Sequence, residues 1–475
     1  MKVFSTFLIA IISLSSNIFS QGVWPTHIIT TDAADARSVY SIDLDEDGDN
    51  DVLSASAGDD KIAWYENLGD GIFGDQIIIN DSSDIANSVY AVDIDGDGDI
   101  DVVASGGVSG RNGITWYENK GNEIFEPHKL YETPEGNFIP ASVYVADLNK
   151  DGNMDVLYCA WRWTVWLNNN GTFFTDTQIF NNDNSQDASS IYAEDIDGDG
   201  NIDVLSTYGT DNSVRWFEND GNANFTDHII SRMAIDASSV YAKDVNSDGF
   251  MDVLSASSDN DRITWYQNNG SQGFSPHHIA TDADGASSVF AIDIDNDDDI
   301  DVLSASSEDD KIALYRNDGN ENFTTEIITT EADVANSVFA IDVDNDGDID
   351  VLSASRFDNK IAWYANPLIV NDVESISNEI PVEYNLSQNY PNPFNPSTTI
   401  RFSVPEESNV SVVVLNMLGE EVKIVVNQNI TAGSYEVDFD ATGLPSGVYF
   451  YKIQVYPVTG GAGSFIETKK MVLLK

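Results

Sequence analysis

This chain is short of three things. It has one cysteine, Cys159, so no intramolecular disulfide can form. Stability must come from core burial or bound metal, and Cys159, beside Leu157 in an apolar run, reads as core. It has few cations: 22 Lys and Arg stand against 80 Asp and Glu, a formal net charge of −58. Nucleic acid and anionic membranes repel such a chain and are excluded as partners. It also lacks long apolar runs. The stretch 7–14 is too short to span a bilayer. With Lys2 before it and Ser20 after it, residues 1–20 read as a secretory signal peptide, and no transmembrane segment is expected in the mature chain. No stretch sustains a 3.6-residue apolar period, so helices are not expected.

Aspartate is abundant, and it is periodic. D-x-D-x-D-G-x-x-D, or a close variant, begins at Asp43, Asp93, Asp147, Asp195, Asp244, Asp293 and Asp342, at spacings of 48–54 residues. A period of this size signals stacked supersecondary units. Oxygen ligands on alternate residues of a tight loop signal a hard cation, most readily Ca²⁺. The candidate ligands at positions 1, 3, 5 and 9 are Asp43, Asp45, Asp47 and Asp51; Asp93, Asp95, Asp97 and Asp101; Asp147, Asn149, Asp151 and Asp155; Asp195, Asp197, Asp199 and Asp203; Asp244, Asn246, Asp248 and Asp252; Asp293, Asp295, Asp297 and Asp301; and Asp342, Asp344, Asp346 and Asp350. Up to seven structural Ca²⁺ ions are expected, because carboxylates so crowded repel without a cation among them. Asn149 and Asn246 lower the charge of two loops, and Asp298 stands where Gly is expected. Position 7 varies and includes Phe250, which fits ligation through its main-chain carbonyl. Position 9 runs straight into Asp-Val-Leu-Ser-Ala-Ser or a variant, a strand rather than the helix of an EF-hand.

Each unit holds four apolar runs, in the fifth at 239–242, 252–256, 263–266 and 274–279. Four short strands repeated seven times describe an all-β, seven-bladed β-propeller with calcium loops, here over 21–366. Residues 24–30 match the fourth strand of other units, and the last unit stops after its third. The N-terminal strand should therefore complete the last blade and leave no open edge. The Trp/Tyr pairs of the third strands read as filling between blades rather than ligand platforms. His27, His128, His228 and His277 share one strand column and form no catalytic dyad. Beyond Asn366 the repeat ends: 367–385 reads as a linker, and 386–475 as a small Ig-like β-sandwich with strands at 399–404, 410–416, 433–439 and 447–455.

On its seven aspartate loops, the region 24–366 resembles the FG-GAP/VCBS repeat family, calcium-loop propellers typified by integrin α-subunits. Residues 386–475 resemble the type A C-terminal sorting domain of the type IX secretion system. They carry Leu386-Ser387-Gln388-Asn389-Tyr390-Pro391-Asn392-Pro393-Phe394-Asn395-Pro396, Asn416-Met417-Leu418-Gly419, and the terminal Lys470-Met471-Val472-Leu473-Leu474-Lys475. That resemblance implies the type IX machinery as a partner, and a protein secreted from, or held on the outer surface of, a Gram-negative bacterium. Neither resemblance names a ligand. Departure from the repeat is the better guide, and Trp161, Arg162 and Trp163 stand where other units have polar hairpin turns, a candidate sugar or protein contact. The expected function is a monomeric calcium-binding module for adhesion to glycans or other surface ligands. The alternative is a calcium-assisted polysaccharide lyase; no G-x-S-x-G elbow or Ser-His-Asp order points to an enzyme.

Overall fold

The computed structural model describes residues 24–474 except 109–111, 122, 133–137, 182–187, 223, 368–373, 378–379, 407, 418–420, 442–443 and 458–464. The signal-peptide reading therefore lies outside the described residues. Those residues are almost wholly strand and turn; one short 3₁₀ turn, Ser258–Asn260, interrupts them.

Up to Tyr364 they form seven four-stranded antiparallel sheets. The first runs Ala36–Ile42, Asp51–Ser56, Lys61–Tyr65, Ile77–Asn80, and the next five repeat this order over 83–132, 140–181, 188–231, 237–280 and 286–329. The seventh has Ala335–Ile341, Asp350–Ser355 and Lys360–Tyr364, and takes Thr26–Thr30 as its fourth strand. This is the pairing that the missing last run called for.

Burial explains the strand sequences. Asp51–Ser56 is buried at all six residues, so neighbours cover both faces of the sheet. Small residues there admit close neighbours, and Ser54 meets the Tyr65 hydroxyl at 3.2 Å, which satisfies a buried polar group. Bulky third-strand residues such as Trp64 and Tyr65 are buried as expected. The outer strands alternate exposed and half-buried residues, as Phe225–Ser231 does.

The apolar residues gather into one cluster between each sheet and the next, and a further cluster joins Val39, Val52 and Tyr65 of the first sheet to Leu352, Ile361 and Trp363 of the seventh. On the first strands, Tyr40, Tyr90, Tyr144, Tyr192, Tyr241, Phe290 and Phe339 stack in sequence at 4.7–5.0 Å between ring centroids, and Phe339 returns to Tyr40. Seven repeats thus meet in a closed circle of aromatic rings, an arrangement consistent with a β-propeller.

The C-terminal part holds two further four-stranded sheets that share one core, including Phe402, Val412, Val437, Tyr451 and Met471. All four expected strands form, with ends shifted by a residue or two. Glu421–Ile430 and Phe465–Leu473 add to them, and Glu374–Ser377, inside the stretch read as linker, pairs with Gly433–Asp440. That four-residue segment has no apolar alternation of its own; its partner strand sets its conformation.

Candidate metal centres

Each aspartate loop joins the first and second strands of a sheet, and its own side chains curl it. Asp43 accepts from the Asp47 amide through Oδ1 (3.1 Å) and from the Gly48 amide through Oδ2 (3.0 Å). Asp45 accepts from Asp47, and Asp47 from Asp49. Asp147, Asn149 and Asp151 repeat this pattern, as do Asp244, Asn246 and Asp248. Asp93, Asp95, Asp97, Asp195, Asp197, Asp199, Asp342, Asp344 and Asp346 likewise hold amides of their own loops. Position 6 takes a positive φ, +99° at Gly48, and Asp298 adopts +70° there at a steric cost while keeping its bond to Asp293 Oδ2. At position 7 of the fifth loop the Phe250 ring lies against Gly270 (φ +66°), where a Cβ would come within 2.4 Å of it.

Ligand oxygens converge in several loops. Those of Asp43, Asp45 and Asp51 lie within 4.8 Å of one another, as do those of Asp93, Asp95 and Asp101 and those of Asp195, Asp197 and Asp199. In the seventh loop Asp342 Oδ1 is buried without a hydrogen-bond partner. An all-oxygen, multiply charged donor set with such an orphaned atom fits a hard divalent cation. The structure adds a residue that the loop motif did not contain: Glu118, in the third strand, brings a carboxylate oxygen within 4.8 Å of those of Asp95 and Asp97. Glu66 and Glu218 occupy its column, a regularity visible in the sequence just before each third-strand asparagine.

Position 9 has a second role that its sequence did not show. Asp51 is fully buried, and it accepts from the Leu44 amide (3.1 Å) and the Asn67 amide (2.7 Å). Asp101, Asp155, Asp203, Asp252, Asp301 and Asp350 do the same with their own loops and asparagines. Burial pushes these carboxyls up, against the lowering by the amides: to about 7 at Asp51, Asp203 and Asp301, about 6 at Asp101, Asp155 and Asp252, and about 8 at Asp350.

The asparagine that follows is an inter-sheet latch. Asn67 Nδ2 donates to Asn50 O in its own sheet (3.0 Å) and to Val343 O in the seventh (2.8 Å), while its Oδ1 accepts from Gly69. Asn169, Asn219, Asn268, Asn317 and Asn366 reach back in the same way to Ile94, Leu148, Ile196, Val245 and Ile294 of the preceding loops. Six of the seven aspartate loops are thereby tied to the next sheet around the circle.

The other candidates are less open to a ligand. Trp161, Arg162 and Trp163 are half-buried. Phe138 stacks on Trp161 at 4.2 Å, Trp163 meets it edge-on at 5.3 Å, and the Arg162 guanidinium lies 4.5 Å from its centroid. The cluster covers much of its own aromatic surface. His27, His128, His228 and His277 each lie against the tryptophan of the neighbouring strand, at 4.3–4.8 Å. Cys159 is buried, which pushes its thiol up to about 12. Among the described residues no helix is long and apolar enough to cross a membrane.

Comparison with known proteins agrees with this geometry. The FG-GAP-like repeat model matches residues 43–104, 95–158, 195–255, 244–304 and 293–353. The secretion system C-terminal sorting domain matches 388–458, the mark of type IX export to the cell surface or medium. No curated protein matches the chain. Among solved structures it is similar to BBS1N in complex with ARL6DN, at 12% identity and a TM-score of 0.50 over 72% of this chain and 97% of that one. The extracellular domain of the hybrid two-component system BT3049 from B. thetaiotaomicron gives 12% identity and a TM-score of 0.47, over 95% of this chain and 57% of that one. The repeats are matched over more than half of the sequence, and the chain belongs to the FG-GAP-like repeat family, with a type IX sorting domain behind the repeats.

Proposed function

We propose that this is a calcium-stabilised, seven-bladed propeller over 21–366 that works as a secreted or surface-displayed binding module. A short linker follows, and an Ig-like sorting domain reaches to 475, its first strand at Glu374–Ser377. The circle of aromatic rings and the seven inter-sheet clusters support the blade count. The converging aspartates support Ca²⁺ as a structural ion that stiffens the loop end of the blades that bind it.

One observation carries the binding reading. At the turn between third and fourth strands, on the same end of the sheets as the aspartate loops, the residue before the repeated Phe is Ile72, Ile124 or Phe173 in blades one to three. These side chains are 62%, 59% and 58% exposed. Blades four to six have Asn224, Gly273 and Asn322 at that column. Three consecutive blades therefore present large apolar groups that the fold does not use, and exposed apolar groups rimmed by polar ones mark contact surfaces.

The test is a glycan array and an outer-surface extract, each probed with and without Ca²⁺, with ultraviolet detection of unsaturated sugar products on any hit. Calcium-dependent binding without product supports the module. Product formation identifies the lyase instead. The double variant Ile124→Asp/Phe173→Asp is expected to weaken binding at least tenfold with an unchanged melting temperature; undiminished binding would place the contact elsewhere.

A further inference from the structure

The column occupied by Glu66, Glu118 and Glu218 addresses position 3 of the aspartate loop beside it. Glu118 lies with Asp95 and Asp97. Glu66 and Glu218 hold the same place beside the first and fourth loops, just before Asn67 and Asn219. In six blades the column varies in step with the loop, and the seventh sets Ala365 against Asp344. Blades one, two and four pair an Asp at position 3 with a Glu. Blades three and five pair Asn149 and Asn246 with the neutral Asn168 and Gln267. Blade six pairs Asp295 with Arg316.

Arg316 is held where blades one, two and four bring negative charge. Its Nη1 bonds Asp295 Oδ2 at 2.8 Å and its Nε bonds Glu326 Oε2 at 2.9 Å. Glu326 is itself fixed by the Trp24 indole, which donates to Oε1 at 2.9 Å. Glu326 stands in the column that four blades fill with histidine and two with Gln76 and Thr177, and Asp298 replaces the loop glycine in this blade alone. Three departures from the repeat thus fall in one blade and meet at one loop. A guanidinium is permanently charged and matches carboxylate geometry, so it can neutralise the cluster from within. It would also repel a divalent ion placed against Asp295. Asp295 Oδ1 stays buried without a hydrogen-bond partner, and the charge beside it is supplied by Arg316.

We propose that Arg316 takes the place of the metal ion in the sixth loop, so that this blade is locked without calcium while the others depend on it. The proposal rests on the calcium reading above. Its test is a count of bound Ca²⁺ on the full chain by native mass spectrometry, backed by equilibrium dialysis with ⁴⁵Ca. Arg316→Glu, which copies the first blade, and Arg316→Gln, which copies the fifth, are each expected to bind one more Ca²⁺ than the wild type. Arg316→Lys, which keeps a cation, is expected to bind the wild-type number. Equal counts for wild type, Arg316→Glu and Arg316→Gln would overturn the proposal and leave the calcium reading standing. A wild type that takes up no ion would overturn both. The Gln variant guards against misfolding of the Glu variant, because Gln267 is already accommodated at the same column.

Discussion

Chelation at pH 8 lowers the melting temperature by more than about 15 °C, and at pH 5 by much less. Binding to the native state alone contributes about 2.7 kcal/mol per site at a hundredfold excess over Kd. Several such sites add up to more than about 10 kcal/mol, and each kcal/mol moves the melt of a large domain by roughly 2–4 °C. The pH term follows from the buried position-9 aspartates. Their native values, about 6 to about 8, lie above that of an unfolded aspartate. Without metal the native state therefore holds extra protons, and stability falls as pH rises from about 4 through about 8. Bound calcium is expected to reverse the trend, because the ionised carboxylates would be its ligands. Calorimetry in EDTA and in CaCl₂ at both pH values checks this. Coincident melts at pH 8 would remove the metal from the account.

Asn67→Ala is expected to cost about 3–5 kcal/mol, among the largest effects of any single polar substitution here. The side chain is buried and makes three hydrogen bonds; its loss strands the carbonyls of Asn50 and Val343. An unpaired buried polar group costs about 1–3 kcal/mol. Asn67 also ties the first sheet to the last, so the loss falls on the junction at which the circle of sheets closes. Asn222→Ala, at an exposed turn, should change stability by less than about 0.5 kcal/mol. Denaturant unfolding of both variants tests the pair of values; a mild Asn67→Ala would show that the inter-sheet bonds are dispensable.

The repeat made the propeller legible. A period near 50 residues, four apolar runs and a displaced first strand are one-dimensional facts that the fold preserves. The C-terminal sheets were less legible: Glu374–Ser377 takes its strand conformation from a distant partner, not from its own pattern. The loop positions could be read because Asp at 1, 3 and 5 is a local device. The double duty of Asp51 could not, since its partner Asn67 is sixteen residues on and folds back beside it. Glu118 and Arg316 were hidden for the same reason. Their column is regular, yet only the third dimension shows that it faces position 3 of the loop.

The pairing of Thr26–Thr30 with Lys360–Tyr364 also sets an order of events. The first strand to leave the ribosome waits roughly 340 residues for its partner. The entropy of so long a closure is modest, because it grows only with the logarithm of length, but the delay is long. Until Tyr364 exists, the seventh sheet has no fourth strand and Thr26–Thr30 is an unpaired edge. Ring closure is then expected to be the last step, and the step most exposed to chaperones and to aggregation. A circular permutant that carries 24–30 behind Asn366 through a short turn keeps the strand pairing and the Asn366 latch, and should fold markedly faster in stopped-flow refolding, with its unfolding rate unchanged.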